Sequence, residues 1–184
     1  MSSSEDELDA LQLSAEAQRA LKEFYEEQNE KLLSHCDDKD ATDVKFDEDW
    51  QLSQFWYDEK TCEQIFECVY KMVGSNGSVA LISCPTLYKT FKKKSPTMLI
   101  KLFEFDKRFS VYGSNYVFYD YNEPMKFDEE LLNSFDLVVV DPPFLSEECL
   151  TKSLQTTKSL TKQHVILCTG EIMEELAKKL LNVH

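Results

Sequence analysis

Asp141-Pro142-Pro143-Phe144 is the stretch of this sequence best equipped for chemistry. Neither proline has an N–H, so both present carbonyl acceptors with no competing donor. The Asp141 carboxylate adds further acceptors. A primary amine is rich in donors, so such a group grips it by its hydrogens and leaves its lone pair pointing elsewhere. The Phe144 ring can face a cationic nitrogen or methyl, a contact worth about 0.5–2 kcal/mol. The set suits in-line attack of an amine on a methyl sulfonium. That reaction needs no nucleophilic side chain and no metal, because the sulfonium carries its own leaving group. A strand end followed by a rigid turn would use the same four residues. What sets this one apart is the apolar run Leu137 to Val140 directly before it.

That run dictates where Asp141 sits. Continuous β-branched residues between polar punctuation read as a strand buried on both faces of a parallel sheet. Pro-Pro then ends it, since proline cannot donate to a ladder. Asp141 is therefore expected at the C-terminal end of a central strand, where open α/β sheets bind ligands beside the point at which strand order reverses. Four more strands are expected over residues 78–84, 97–105, 115–119 and 163–168. Between them lie helical patterns. Asp58 caps a helix that carries Cys62, Ile65, Phe66, Val69 and Val73 on one stripe and closes at Gly74. Pro85 opens a second helix that ends in Lys92-Lys93-Lys94, cations at its negative end. Residues 107–113 form a short helical or irregular segment, and residues 128–133 about one turn. Ser146 caps a further helix with Glu147 and Glu148 in its first turn. Thr169 caps the last, from Glu171 to about Asn182. Alternation of this kind implies an α/β, doubly wound, Rossmann-like fold with a mainly parallel sheet and right-handed crossovers.

The other strand ends supply candidate binding residues. Glu104 and Asp106 close the second strand, where a carboxylate can accept from both hydroxyls of a ribose; strand periodicity leaves open which of the two does so. Asp120 follows the third strand and can accept from an adenine amino group, with Tyr119 or Tyr121 beside the ring. The first strand runs into Ser83-Cys84-Pro85 rather than a GxGxxG turn, and the whole chain has four glycines. A cofactor whose pyrophosphate needs close backbone approach is thereby disfavoured. S-adenosylmethionine has no phosphate and suits this loop. Before the first helix, Gln54, Phe55, Trp56 and Tyr57 form an aromatic-rich stretch placed to serve as a lid or wall over a cofactor.

Charge is unevenly placed. Residues 1–50 hold 16 acids and 5 bases, and residues 51–184 hold 18 acids and 15 bases, within an overall net charge of −14. The first part, residues 1–49, reads as an acidic arm: a polar tail, an amphipathic helix from Ser14 to about Leu33, and an acidic linker. Residues 50–184 carry the catalytic pattern. His35 and Cys36 lack a second ligand pair, so no metal site is expected. An acidic arm with no basic stripe argues against nucleic acid as a direct substrate. No apolar run reaches membrane-spanning length and the N-terminus lacks a secretory h-region, so no membrane partner is expected. Six cysteines without a CxxC pair read as reduced thiols in a cytoplasmic protein; Cys84 and Cys168 are expected in the core.

Five segments together resemble the translation elongation factor 1-alpha lysine methyltransferase 1 family: WQLSQFWY (50–57), FEFDKRF (103–109), FYDYN (118–122), DPPFLSEECL (141–150) and ILCTGEIMEE (166–175). The resemblance covers about residues 10–180. It implies a class I S-adenosylmethionine-dependent protein-lysine methyltransferase, cytoplasmic, with elongation factor 1-alpha as its protein substrate. On that resemblance Asp141, Pro142, Pro143 and Phe144 fall on the amine-binding motif, Glu104 or Asp106 on the ribose-binding acid, and Asp120 on the adenine-proximal acid. Ser83, Cys84 and Pro85 stand where a glycine-rich cofactor loop is usual. Members of the family continue past the last helix into an antiparallel strand pair, so a sheet without those strands is expected here. Two other readings stay open: an adenine amino-methyltransferase on nucleic acid, and a truncated, non-catalytic binding form.

Overall fold

The computed structural model describes residues 54–182 together with Arg19, residues 46–49 and Leu52. The chain divides into two units, Met1–Asp38 and Lys39–His184. Of the first, only Arg19 is described; the expected helix from Ser14 and the His35-Cys36 pair lie outside the described residues.

The second unit has five described strands: β1 (Ser78–Ile82), β2 (Leu99–Glu104), β3 (Tyr116–Phe118), β4 (Leu137–Val140) and β5 (His164–Leu167). They pair in the order β3-β2-β1-β4-β5, every pair parallel. The expected doubly wound sheet is therefore present, and the order reverses between β1 and β4. Four α-helices flank it: α1 (Glu59–Val73), α2 (Pro85–Lys94), α3 (Glu147–Leu160) and α4 (Glu174–Leu181).

Alternation along the central strands splits the core in two. Val79, Leu81, Leu137 and Val139 point to one face and pack with Phe66, Leu87 and Phe91 of α1 and α2. Ala80, Ile82, Val138 and Val140 point to the other and pack with Leu150, Leu154 and Ala177 of α3 and α4. All four residues of β4 are buried, as its unbroken apolar run requires. Register between β1 and β4 is pinned at the N-terminal end, where the Asp136 carboxylate accepts from the Ser78 N–H at 2.8 Å and the Ser78 hydroxyl at 2.9 Å. Ile82 is thereby set level with Val140, and Ser83 and Asp141 emerge side by side at the other end.

Local capping follows the sequence in most places. The Asp58 side chain accepts from the Thr61 N–H at 2.7 Å and starts α1, and Gly74, at φ 72°, ends it. Ser146 caps α3 through the Cys149 N–H at 3.2 Å. Two expectations are corrected. Thr169 does not cap the last helix: a 3₁₀ turn at Glu171–Met173 intervenes, preceded by Gly170, and α4 starts only at Glu174. Gly170 is pressed against Leu145, whose methyls lie 3.0 and 3.1 Å from where a β-carbon would stand. The end of the expected acidic linker also belongs to the body: Phe46 is buried, with its ring centroid 4.6 Å from that of Phe109.

Candidate active site

The C-terminal ends of the parallel strands surround a cavity of about 760 Å³, within the range of roughly 300–1,000 Å³ usual for small-molecule sites. Each strand end contributes. Ser83 and Pro85 follow β1; Glu104 and Phe105 lie at the end of β2; Tyr119, Asp120, Tyr121 and Asn122 follow β3. Asp141, Pro142, Pro143, Phe144 and Leu145 follow β4, and Cys168, Thr169 and Gly170 follow β5. Leu52, Gln54, Phe55, Trp56 and Tyr57, the segment leading into α1, complete the wall.

The structure separates the two candidate acids of β2. Glu104 is buried and lines the cavity. Its Oε1 accepts from the backbone N–H groups of Phe105 and Asp106 at 3.1 and 3.2 Å. Oε2 has no donor among the described residues and is the oxygen left for a ligand. Burial pushes the carboxyl up to about 7, against the pull of those two hydrogen bonds. Asp106 does not line the cavity. It is buried, starts the 3₁₀ segment Lys107–Asn115 through the Arg108 N–H at 2.9 Å, and pairs with the Arg108 guanidinium at 2.7 Å.

Asp106 instead belongs to a clasp. Its Oδ2 also accepts from the Gln54 Nε2 at 3.0 Å. The Gln54 Oε1 accepts in turn from Arg108 Nη2 at 3.1 Å and from the Asp49 N–H at 3.0 Å, while Arg108 Nη1 donates to the Asp47 carbonyl at 3.2 Å. Gln54 thus ties the segment before α1 to the loop after β2. Arg108→Met removes the guanidinium that pairs with buried Asp106. It is expected to cost about 3 kcal/mol in denaturant unfolding and to weaken cofactor binding in calorimetry, because the wall it holds comes loose.

Of the first-strand loop, Ser83 and Pro85 line the cavity and Cys84 does not. The Cys84 thiol is buried and donates to the Val139 carbonyl at 3.7 Å. Ser83 has φ 55°, a left-handed conformation that favours glycine and is uncommon for other residues. The tight turn of a glycine-rich loop is made here without glycine. Asp120 lines the cavity with one carboxylate oxygen accepting from the Asn122 N–H at 2.8 Å.

At β4, the Asp141 N–H donates to the Ile82 carbonyl at 3.0 Å and fixes the backbone. The Tyr57 hydroxyl donates a short hydrogen bond to Asp141 Oδ2. Burial raises the Asp141 carboxyl, and the Tyr57 hydrogen bond opposes that rise. Burial, then the neighbouring Asp141 charge, pushes the Tyr57 phenol far above its ordinary value, so it stays a donor. Pro142 is buried and Pro143 half-buried. Phe144 lies at the mouth, 5.8 Å from the Tyr121 ring in an edge-on pair, and exposed Phe55 and Leu145 extend the apolar rim.

Seven cavity residues were not among the sequence candidates: Leu52, Phe105, Asn122, Leu145, Cys168, Thr169 and Gly170. Cys168 had been expected in the core, yet it is half-buried in the wall and faces Tyr57 and Asp141. The signal was available in topology, since the residue after any strand of a doubly wound sheet lies at the ligand-binding edge. Among the described residues no cluster of three or more His, Cys, Asp or Glu side chains is placed to hold a metal ion. Among them, too, no helix is long and apolar enough to cross a membrane.

Residues 48–184 match the protein family described as "Probable N6-adenine methyltransferase". The chain is 45% identical over 185 residues to the EEF1A lysine methyltransferase 1 of Homo sapiens, an alignment covering 100% of this chain and 86% of that protein. To the protein of the same name from Danio rerio it is 47% identical over 137 residues, covering 72% of this chain and 82% of the relative. To the Protein-lysine N-methyltransferase EFM5 of Saccharomyces cerevisiae it is 37% identical over 198 residues, covering 91% of this chain and 80% of the relative.

Proposed function

The chain belongs to the EEF1A lysine methyltransferase 1 family, and from that premise we propose that it transfers methyl groups from S-adenosylmethionine to a lysine side chain of translation elongation factor 1-alpha, in the cytoplasm. The observation that carries this reading is the shared cavity: the acceptor set Asp141-Pro142-Pro143-Phe144 and the ligand-facing carboxylate of Glu104 line one volume at the switch point of a parallel sheet.

The residues fit the cofactor by chemistry. Glu104 Oε2 would accept from the ribose hydroxyls, and Asp120 with Tyr121 would flank the adenine. Ser83 and Pro85 offer no cradle of backbone N–H groups for a phosphate, and this cofactor carries none. When bound, it supplies an electrophilic methyl on a sulfonium. The protein's own part is to bind and orient the amine. A free lysine, with a pKa near about 10.4, is neutral only about once in a few thousand at pH 7. Desolvation among Trp56, Tyr57 and Phe144 favours the neutral amine. Asp141 and the Pro142 carbonyl would take its hydrogens and leave the lone pair in line with the methyl. Holding two reactants in that geometry is the largest contribution such a site can make. The exposed apolar rim of Phe55, Phe144 and Leu145 suits a lysine presented on a protein surface better than a free amine in water.

Two measurements test the reading. Titration with S-adenosylhomocysteine should give saturable binding. Incubation with S-adenosylmethionine and purified elongation factor 1-alpha should add mass in steps of one methyl to a lysine peptide. Binding without transfer to the elongation factor, together with methylation of adenine in DNA or RNA, would replace it with the nucleic-acid reading that the family description suggests. A folded chain that binds no cofactor would make this a non-catalytic form.

A further inference from the structure

We propose that Tyr57 is a positioning residue for methyl transfer, its hydroxyl holding the Asp141 carboxylate in the orientation and ionisation state that the substrate amine meets. The inference rests on Asp141 being the carboxylate that receives the amine. It places Tyr57 at the amine end of the cavity rather than in the cofactor wall.

Geometry carries it. The Asp141 backbone is fixed by the strand, through its N–H to the Ile82 carbonyl at 3.0 Å, but nothing in β4 fixes the side chain. The Tyr57 hydroxyl does so by donating to Oδ2. Tyr57 is itself anchored. It directly precedes the N-cap Asp58 of α1, its carbonyl accepts from the Cys62 thiol at 3.9 Å, and three residues upstream Gln54 is locked to Asp106 and Arg108. Among the described residues only Oδ2 is engaged, which leaves Oδ1 to the amine.

The titratable groups facing the carboxylate are Tyr57, Cys84 and Cys168. Burial raises both thiols and the phenol, so all three are neutral at working pH. None supplies a positive charge to hold Asp141 ionised. Among the described residues Tyr57 is the side chain that hydrogen-bonds the carboxylate and lowers its pKa against burial. No proton leaves Tyr57; it donates throughout.

The test is Tyr57→Phe in the full chain, which keeps the ring and removes the hydroxyl. Expected are a fall in kcat of about tenfold or more, with the KM for elongation factor and the Kd for S-adenosylhomocysteine both within about twofold. The acid limb of the kcat/KM profile should move up by about one pH unit, because activity needs the ionised Asp141. Titration of the Asp141 carboxyl carbon by NMR, assigned by its loss in Asp141→Ala, should move up by the same amount and does not depend on turnover. An unmoved Asp141 titration overturns the proposal. A loss of cofactor affinity matching the loss of kcat returns Tyr57 to the cofactor wall and overturns it too. Should wild-type protein methylate no elongation factor, the proposed substrate fails while the NMR titration still decides the role of Tyr57. If Tyr57→Phe does not fold, fluorotyrosine at position 57 is a stronger donor and should move the Asp141 titration down; no movement overturns the proposal.

Discussion

Asp141→Ala is expected to lower kcat for methyl transfer by roughly 10²–10⁴-fold, while the Kd for S-adenosylhomocysteine stays within about threefold. The asymmetry follows from where the carboxylate sits. Asp141 stands at the end of β4 with one oxygen held by Tyr57, on the opposite side of the switch point from Glu104 at the end of β2. On the proposed function it touches the amine and not the ribose. Alanine removes the acceptor that orients the amine and leaves the neighbouring Pro142 carbonyl, so residual binding of the protein substrate should persist. Single-turnover kinetics with saturating cofactor separate the two effects. Equal loss of turnover and cofactor affinity would show that Asp141 belongs to the cofactor site.

Glu104→Gln should do the reverse, weakening S-adenosylhomocysteine by about a hundredfold, since each hydrogen bond to a charged acceptor contributes about 1.5–3 kcal/mol and a ribose diol makes two. A pH dependence accompanies it. Burial raises the Glu104 carboxyl to about 7, and hydroxyl donors favour its ionised form. Binding therefore releases a proton, and wild-type affinity should rise from pH 6 to 8 and level off above; in Glu104→Gln the dependence should vanish. Calorimetry in buffers of different ionisation heat counts the proton directly. Stability runs the other way. Between about 4.5 and 7 the folded protein keeps a proton on Glu104 that the unfolded chain has released, so this group's contribution falls as pH rises through that window. Ligand-free Glu104→Gln should accordingly be at least as stable as wild type at pH 8 in urea, since the neutral amide can still accept from the Phe105 and Asp106 N–H groups. An acid whose removal stabilises the fold and destroys binding is held there for the ligand.

Much of this was legible because it is local. The apolar run of β4 and the two prolines after it fix a strand and its end without reference to the rest of the chain, and Asp141 follows. Asp58 and Gly74 announce α1 in the same way. The choice between Glu104 and Asp106 was not local. Both are carboxylates at one strand end, and what separates them is the clasp that Gln54, from 52 residues earlier, makes with Asp106. Cys168 was misjudged for a similar reason. A cysteine ending an apolar strand looks like core, and only the neighbouring of β4 and β5 places it beside Asp141. Thr169 has the composition of a helix cap, but a 3₁₀ turn at Glu171–Met173 comes first and the helix begins at Glu174. Sequence spacing carries propensity, whereas such contacts belong to the assembled sheet.

The wall built by Gln54 to Tyr57 has a consequence for how the molecule is made. Its ties reach Asp106 and Asp141 across 52 and 84 positions of chain. Closing loops of that size carries an entropy penalty that grows with the logarithm of length, and a topology rich in such distant pairings folds slowly. A newly synthesised chain therefore forms its helices and strands before it possesses a complete binding site. On the proposed function, cofactor bound to the finished site adds stability in proportion to the logarithm of its concentration over Kd.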